Sequence, residues 1–427
     1  MKLRNRTTTQ RERMSQSDIT GSYRKTALES GLRIVTESIP SLRSVSIGVW
    51  INVGSRDESA EESGISHFVE HAVFKGTASR KTHHIAQYLE TVGGYLNAFT
   101  TKDATCYYAR ILERHIQRAV NILADLVVHP AFREKEIGKE KNVILDEMRG
   151  IEDDQEDVIN DHLDGLLFGK NPLSQPVIGT KQAIEDITQR SLFEFTRQHY
   201  TSDRIVIAAA GAVDHDELVR LVSAAFEGIP SGDAPKRRKP RTQKPKQVVL
   251  RKPIQQSHIM MGTTVPGTRS SASSALHVIN TALGEGMSSR LFQRVRERFG
   301  YAYNVYSYLT QFEDTGVFGV YAGSENGSMD RAHGLIRKEL ETIRAKGLSS
   351  REIRRAKEQL IGGLIIGLES MDSRMHRIGK DELHIGEVAS IDSLIDRVSS
   401  VTVDEVRQLC ARFCDPAQYS EVRILPA

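Results

Sequence analysis

The chain has 427 residues but only three cysteines, Cys106, Cys410 and Cys414. A small and odd number of cysteines argues against a disulfide framework and suits a reducing compartment. Cys410 and Cys414 lie four residues apart, as one edge of a metal site would, but no second cysteine pair or nearby histidine completes it. We therefore interpret these two cysteines as core residues.

No apolar run is long enough to span a membrane. The longest apolar run, residues 205–213, has the length of a buried strand. The formal net charge of +3 gives no general case for nucleic-acid or membrane binding. Residues 1–14 are basic but lack the apolar stretch of a secretory signal, so we interpret them as a disordered tail. We expect a cytoplasmic protein, with the mitochondrial matrix as the alternative.

A basic, proline-rich segment divides the chain into two parts of similar length. Residues 229–246 read IPSGDAPKRRKPRTQKPK, a composition that opposes a packed core. We predict domains at 21–228 and 248–427 and a solvated linker at 229–247, because a chain this long usually exceeds one hydrophobic core. A nucleic-acid or nuclear-localisation role for the charge run is the weaker interpretation, and we expect no nucleic-acid partner.

The two parts resemble each other in sequence. The segment 132–145 (FREKEIGKEKNVIL) aligns with 348–361 (LSSREIRRAKEQLI), and the offset between these two ranges defines a repeat shift. The segment that begins at Ile187 aligns with the segment that begins at Val401 at nearly the same shift. Two such pairs in one order and register indicate duplication and two domains of one fold.

Strand-like and helix-like segments alternate irregularly along each part. The apolar patterns of the first part predict strands at 44–53, 96–100, 105–112 and 205–213, and helices at 64–74, 84–91, 133–154 and from Arg114. This order predicts an α+β fold of two homologous domains, each a mixed β-sheet packed with helices and joined by the basic linker.

One motif carries the chemistry: residues 64–71 read GISHFVEH. On a helix, His67 and His71 are four residues apart, so both imidazoles project from one face and can share a zinc ion. Glu70 lies beside that face, within reach of a metal-activated water. This is the reverse of the H-E-x-x-H order. A pair of surface histidines is the alternative, since a chance match in a chain this long has a probability on the order of a few per cent.

A catalytic zinc site usually has three protein ligands and one position for water. The predicted helix 133–154 offers Glu140, Asp146 and Glu147 as the third ligand. Glu140 and Glu147 lie two turns apart on one face, and spacing alone does not choose among the three carboxylates.

Four segments carry a resemblance that covers nearly the whole chain after about the first twenty residues. They are GISHFVEHAVFKGT at 64–77, GGYLNAFTTKDATCYYA at 93–109, EKNVILDEM at 140–148 and GMSSRLFQRVRERFGYAY at 286–303. With them the sequence resembles the pitrilysin family of metallopeptidases, especially β-type mitochondrial processing peptidase and its bacterial relatives. The resemblance implies one zinc ion per chain, held by His67, His71 and Glu147. It also implies Glu70 as general base and Glu140 as an acidic residue that supports the site.

The resemblance further implies where substrate binds. Asn97, Ala98 and Phe99 match a strand that pairs with the substrate backbone, and Arg296 and Tyr303 match a pair contributed by the second domain. Each has a simpler interpretation as an ordinary strand, core or solvated residue. Family members enclose a peptide substrate between four such domains, so the resemblance implies a homodimer or a heterodimer with a homologue that lacks the motif.

The motif is not repeated in the second part. At the repeat shift, the motif positions fall on Leu283, Gly286 and Met287, none of which binds zinc. We therefore expect one active domain and one degenerate domain, and a zinc metalloendopeptidase acting on extended or presequence-like peptides. The alternative is a catalytically silent core or assembly subunit of the same fold, although such chains usually lose motif residues.

Overall fold

The computed structural model describes residues 21–233 and 237–427, so the predicted N-terminal tail lies outside the described residues. The strands are β1 (Ser22–Ala27), β2 (Arg33–Ser38), β3 (Ser44–Ile51), β4 (Tyr95–Thr100), β5 (Thr105–Leu112), β6 (Ile205–Gly211), β7 (Gln247–Lys252), β8 (Gln256–Val265), β9 (Asn304–Gln311), β10 (Gly316–Glu325) and β11 (Ser420–Pro426). Two separate sheets result, one from β1–β6 and one from β7–β11.

Helices cover both sheets. They are α1 (Ile65–Val73), α2 (Thr82–Glu90), α3 (Ile116–Val128), α4 (Glu134–Asp153), α5 (Gln155–Phe168), α6 (Lys181–Asp186), α7 (Gln189–His199), α8 (His215–Ala225), α9 (Ser273–Gly284), α10 (Met329–Lys346), α11 (Ser350–Gly367), α12 (Met371–His384), α13 (Ile391–Ser399) and α14 (Val403–Phe413), with a π-helical segment at Phe292–Arg298. None of those in the described residues combines the length and apolarity that a bilayer crossing requires.

The two sheets share one topology. The first has the order β1-β2-β6-β3-β5-β4 and the second β7-β11-β8-β10-β9. Each sheet has one parallel pair of strands, β2 with β6 in the first and β7 with β11 in the second. All other neighbouring strands are antiparallel. The starts of helices α4 and α11, at Glu134 and Ser350, are also related by the repeat shift. The predicted α+β class with two similar sheets is therefore confirmed, with β1 as an addition to the first.

The sequence pattern located most elements of the first part closely. The predicted strand 105–112 is β5, and the predicted helices 64–74 and 133–154 match α1 and α4 to within one residue at each end. The strands at 44–53 and 205–213 each end two residues earlier than predicted, as β3 and β6. The two helical cysteines, Cys410 and Cys414, are buried and free, as expected of core residues.

Strand β6 shows how the core is built, because every one of its residues is buried. Alternate side chains of a strand face opposite sides of the sheet. Ile205, Ile207 and Ala209 lie in the core that includes residues of α1 and α3. Val206, Ala208 and Ala210 pack against α12. The run of apolar residues is thus a strand covered on both faces.

The two parts of the chain exchange a helix, which the sequence did not predict. Helix α5, from the first part, places Ile159 and Leu163 against Met260 and Val422 of the second sheet. Helix α12, from the second part, packs on the first sheet in the same way. The two helices occupy equivalent places, since their starts are related by the same repeat shift. Each sheet is therefore covered on one face by a helix from the other part of the chain.

The predicted linker is not solvated throughout. The side chain of Arg237 is only 8% exposed, pairs with Asp57 at 2.6 Å and donates to the carbonyl oxygen of Asp103 at 2.6 Å. The Asp103 carboxylate also accepts from Arg56 at 2.8 Å, and Arg56 reaches Asp314 of the second part at 3.1 Å. Buried carboxylates require a cation, and this requirement outweighs the polar composition that predicted full solvation.

Candidate metal and catalytic site

Helix α1 carries the motif, and its start is fixed by two features. Gly64 precedes it with φ of 92°, and a Cβ there would lie 2.5 Å from the carbonyl oxygen of Ile178, so only glycine fits. The buried carboxylate of Glu58 accepts from the backbone N–H groups of Gly64 at 2.7 Å and Ser66 at 2.8 Å. These bonds satisfy N–H groups that a helix start leaves without partners.

The Glu58 carboxyl predicts a pH effect on stability. Burial raises its pKa to about 7, although the hydrogen bonds from Gly64 and Ser66 lower it. The folded protein therefore binds this proton where the unfolded chain, with a glutamate pKa near 4.3, has released it. Stability should thus fall as pH rises from 5 to 8, with Glu58 contributing about 2–3 kcal/mol of the loss.

The measurement is the free energy of unfolding in urea across this pH range for the wild type and Glu58→Gln. We expect the wild type to lose stability more steeply than the variant, since glutamine does not titrate. Parallel pH profiles for the two proteins would show that Glu58 does not titrate in this range.

The two motif histidines and one carboxylate of α4 converge. The ring centroids of His67 and His71 are 4.6 Å apart. Their Nε2 atoms lie 3.8 Å and 3.7 Å from the two carboxylate oxygens of Glu147, and one donor atom from each of the three residues lies within 4.8 Å of the others.

These separations fit a metal ion better than a hydrogen-bonded cluster. They are too long for hydrogen bonds. Ligand atoms of tetrahedral zinc, at bond lengths near 2.0–2.2 Å, are about 3.3 Å apart, so the donors need move only slightly to hold zinc. Two imidazoles and a carboxylate are also a donor set of catalytic zinc sites, which leave a further position for water.

The structure distinguishes the three carboxylates of α4 that were candidates for the third metal ligand. Glu147 faces both histidines. Glu140 is buried behind His71, with its oxygens 3.5 Å from His71 Nδ1 and 2.9 Å from the ammonium of Lys75. Asp146 pairs with Arg149 on the exposed side of the helix. Glu140 is thus placed to orient His71, as carboxylates behind zinc-bound histidines commonly do.

The charges and the burial of the site shift the pKa values of its residues in different directions. Burial, and then the neighbouring His71, lower the pKa of His67 to about 4, so it is the neutral imidazole that metal binding requires. Burial lowers the pKa of His71, but the Glu140 carboxylate 3.5 Å away and the carboxylates of Glu70 and Glu147 outweigh it and raise the pKa. Burial would raise the pKa of Glu140, but His71 and Lys75 lower it below its usual value.

Glu70 lies beside this cluster. One of its carboxylate oxygens accepts a hydrogen bond from the Thr100 hydroxyl at 2.7 Å, which ties it to the end of β4. Burial raises the pKa of Glu70, while the bond from Thr100 lowers it. Glu70 is thus held between the metal ligands and the edge strand of the sheet.

Sequence reasoning missed three residues that support the site: Glu58, Lys75 and Thr100. Lys75 follows His71 by four residues, and that spacing could have suggested it. Thr100 is thirty residues from Glu70 and gives no local signal. Glu58 precedes α1 by several residues in an irregular segment, where no periodicity applies.

Strand β4 pairs only with β5 within the described residues, so its other edge is open. Asn97 is exposed, donates to the Tyr95 hydroxyl at 2.7 Å and accepts from the backbone N–H of Ala98 at 2.9 Å. Ala98 faces the α1 side of the sheet, whereas the Phe99 ring faces the other side, 5.4 Å from the His376 ring. Substrate pairing along this edge stays a prediction.

The two residues predicted from the second part lie on its surface. Arg296 is exposed on the π-helical segment and stacks over the Phe292 ring at 4.7 Å. Tyr303 is 54% exposed, and its backbone N–H donates to Gly323. Neither makes a hydrogen bond or ion pair with the histidine cluster in the described part of the chain. Their roles in substrate binding remain predictions.

The second part lacks an equivalent site. The positions of α11 that correspond to Glu140 and Glu147 at the repeat shift are Ala356 and Gly363. Across residues 21–233 and 237–427, the His67, His71 and Glu147 group is the one that could hold a metal ion.

Two family models match the chain. Residues 33–181 match the family described as Insulinase (Peptidase family M16), and residues 186–360 match the Peptidase M16 inactive domain. The chain is 41% identical over 396 residues to an uncharacterized zinc protease of Streptomyces coelicolor, covering 91% of this chain and 86% of that protein. It is 38% identical over 400 residues to the uncharacterized zinc protease YmxG of Bacillus subtilis, covering 93% and 97%.

The fold has counterparts among solved structures. A protease from Helicobacter pylori superposes with a TM-score of 0.89 at 21% identity, covering 95% of this chain and all of that one. A peptidase M16 inactive domain from Pseudomonas fluorescens gives the same TM-score at 19% identity, covering 95% and 98%. The chain belongs to the pitrilysin, or M16, family of metallopeptidases. Zinc is the metal that the names of its relatives indicate.

Proposed function

We propose that this protein is a zinc-dependent metalloendopeptidase of the inverted-zincin type, with one zinc ion per chain. The observation that carries the proposal is the convergence of His67, His71 and Glu147, with Glu70 held beside them by Thr100. A structural zinc site would be closed by a fourth protein ligand, whereas this group leaves a position open within the described residues.

Zinc in this position would supply a water of lowered pKa and a Lewis acid for the scissile carbonyl. Glu70 accepts the proton of the attacking water at its free carboxylate oxygen and then gives it to the leaving amine. Glu140 orients His71, and Thr100 fixes the other oxygen of Glu70. Tyr303 is a candidate second donor to the oxyanion, as an exposed side chain of the second part.

The substrate is proposed to be an extended peptide, such as a presequence-like segment. A peptide strand added to the open edge of β4 would pair through its backbone at Asn97, Ala98 and Phe99, and Arg296 would contact it from the second part. Such pairing selects extended conformation more than sequence. We further propose a cytoplasmic location, with the mitochondrial matrix as the alternative, which cell fractionation distinguishes.

The silent-subunit alternative makes opposite predictions for the same sample. The test is cleavage of an unstructured basic peptide by purified full-length protein, with zinc content measured, before and after chelation and after zinc is restored. The peptidase proposal expects about one zinc per chain and cleavage that disappears with chelation and returns with zinc. Zinc-free protein that never cleaves favours the silent subunit. We also propose a dimer, and light scattering on that sample tests the homodimer. A monomer would contradict the homodimer and leave the heterodimer with a homologue that lacks the motif.

A further inference from the structure

A cavity of about 540 Å³ lies on the face of the first sheet opposite α1, where the two parts of the chain meet. Its wall includes Trp50 and Phe99 of the first sheet, Phe312 of the second part, and residues of α12. The volume is in the range of small-molecule sites, which occur preferentially at domain interfaces. None of its wall residues belongs to the histidine and glutamate cluster.

An aromatic corner forms one side of this cavity. The rings of Trp50 and Phe99 meet edge to face at 5.5 Å, and the His376 ring lies 5.6 Å from the first and 5.4 Å from the second. Trp50 is 4% exposed. A flat apolar group placed here would contact ring faces and edges, the arrangement in which aromatic groups attract each other.

Polar atoms without partners are concentrated around the cavity. Fifteen residues form its wall, and four of them have a buried side-chain nitrogen or oxygen with no hydrogen-bond partner in the described chain: Thr268 Oγ1, His376 Nδ1, Arg377 Nε and His384 Nδ1. These are four of the twenty such atoms found across the described residues, far more than the share of the chain that the wall represents. Buried polar atoms are nearly always paired, so the concentration indicates a missing polar partner. One of the groups, the Arg377 Nε–H, can only donate, and the Thr268 hydroxyl can donate or accept, so an acceptor satisfies both.

The charges around the cavity favour an anion. Its two acidic wall residues are already neutralised: Asp103 by Arg56 at 2.8 Å, and Glu313 by Arg269 at 2.7 Å. Lys380, on the rim, has no ion-pair partner in the part of the chain that the structure describes. An unpaired cation beside unpaired donors suits a carboxylate.

We infer that this cavity binds a small aromatic carboxylate, with its ring against Trp50 and Phe99 and its carboxylate toward Lys380 and the unpaired Nε–H of Arg377. The rest of the Arg377 guanidinium is already engaged, since it pairs with Glu37 at 2.9 Å and donates to the carbonyl oxygen of Ala389 at 2.8 Å. A free aromatic acid and the C-terminus of a peptide that ends in an aromatic residue share this chemistry. The site lies behind the edge strand β4, one residue from Thr100, which holds Glu70 from the other face. The inference does not depend on peptidase activity.

The single tryptophan makes the site directly observable, because Trp50 is the only source of tryptophan emission in the chain. Titration of the full-length protein with 3-phenylpropionate should change this emission saturably and raise the thermal midpoint. The neutral isostere 3-phenylpropionamide should bind at least about tenfold more weakly, since it lacks the charge that Lys380 recognises. Lys380→Met should weaken binding of the carboxylate by a similar factor, about tenfold.

The control is Lys346→Met, which makes the same change of charge at an exposed residue outside the wall and should leave the affinity unchanged. Tighter binding of N-acetylphenylalanine than of 3-phenylpropionate would support a peptide C-terminus as the source, and the reverse a free acid. Emission that does not respond saturably overturns the inference, as does equal binding of the amide or unchanged affinity in Lys380→Met.

Discussion

Replacing Glu70 by glutamine is expected to abolish peptide cleavage while zinc stays bound. The substitution keeps the shape of the side chain, and its amide oxygen can still accept the hydrogen bond that Thr100 donates at 2.7 Å. What is lost is the carboxylate that we propose takes a proton from the attacking water. General-base catalysis contributes about 10²–10⁴ in rate, so kcat should fall by about that factor. His67, His71 and Glu147 are untouched, so the zinc content should match that of the wild type.

The measurement pairs peptide turnover with metal analysis on the same preparation. Glu90→Gln is the matched control, because it makes the same chemical change at an exposed position at the end of α2 and should leave turnover unchanged. Turnover of Glu70→Gln within a few-fold of the wild type would remove Glu70 from the mechanism. Loss of zinc in this variant would instead assign Glu70 to the metal site.

The second large effect concerns the stability of the two joined parts. Arg237→Ala is expected to lower the free energy of unfolding by about 3–5 kcal/mol, the cost of breaking a buried ion pair by removing one partner. The Asp57 side chain is 6% exposed and would lose the guanidinium at 2.6 Å. Asp103 would lose one of its two arginines. Burial raises the pKa of Asp103, but Arg237 and Arg56 outweigh it and hold the pKa below its usual value.

Urea unfolding of the wild type and two variants measures this effect. Arg238→Ala is the control, because it removes the adjacent basic side chain, which is exposed, and should change stability by less than about 0.5 kcal/mol. An equally small effect in Arg237→Ala would show that the linker is solvated throughout, as its composition predicts. An equally large effect in both would show that the basic run acts by its total charge rather than through one buried pair.

The sequence predicted well where the physical signal is local. Helix α1 and helix α4 have apolar periodicity and clear ends, so their limits matched within a residue. The i and i+4 spacing of His67 and His71 placed two imidazoles on one helix face, because a helix has a fixed pitch. The two pairs of similar segments, aligned at nearly the same shift, predicted two domains of one fold, and the two sheets do share one topology.

Choosing among carboxylates needed the packed molecule. Glu140, Asp146 and Glu147 are all acidic residues of one helix, and only the packing of α4 against α1 shows that Glu147 faces both histidines. The family resemblance had implied the same residue for a different reason, the distance between motifs. Thr100 has no local signal at all, since it meets Glu70 only where β4 passes α1.

By itself the sequence determined the helix that bears His67, Glu70 and His71, the duplication, and the family to which the chain belongs, because each depends on spacing along the chain. Only the tertiary structure decided that α5 packs on the second sheet and α12 on the first. It also decided that Arg237, a residue of the basic segment, is buried. Only it placed an aromatic cavity behind β4. These features join residues far apart in sequence, and their energies come from burial and charge pairing that arise only when the two parts meet.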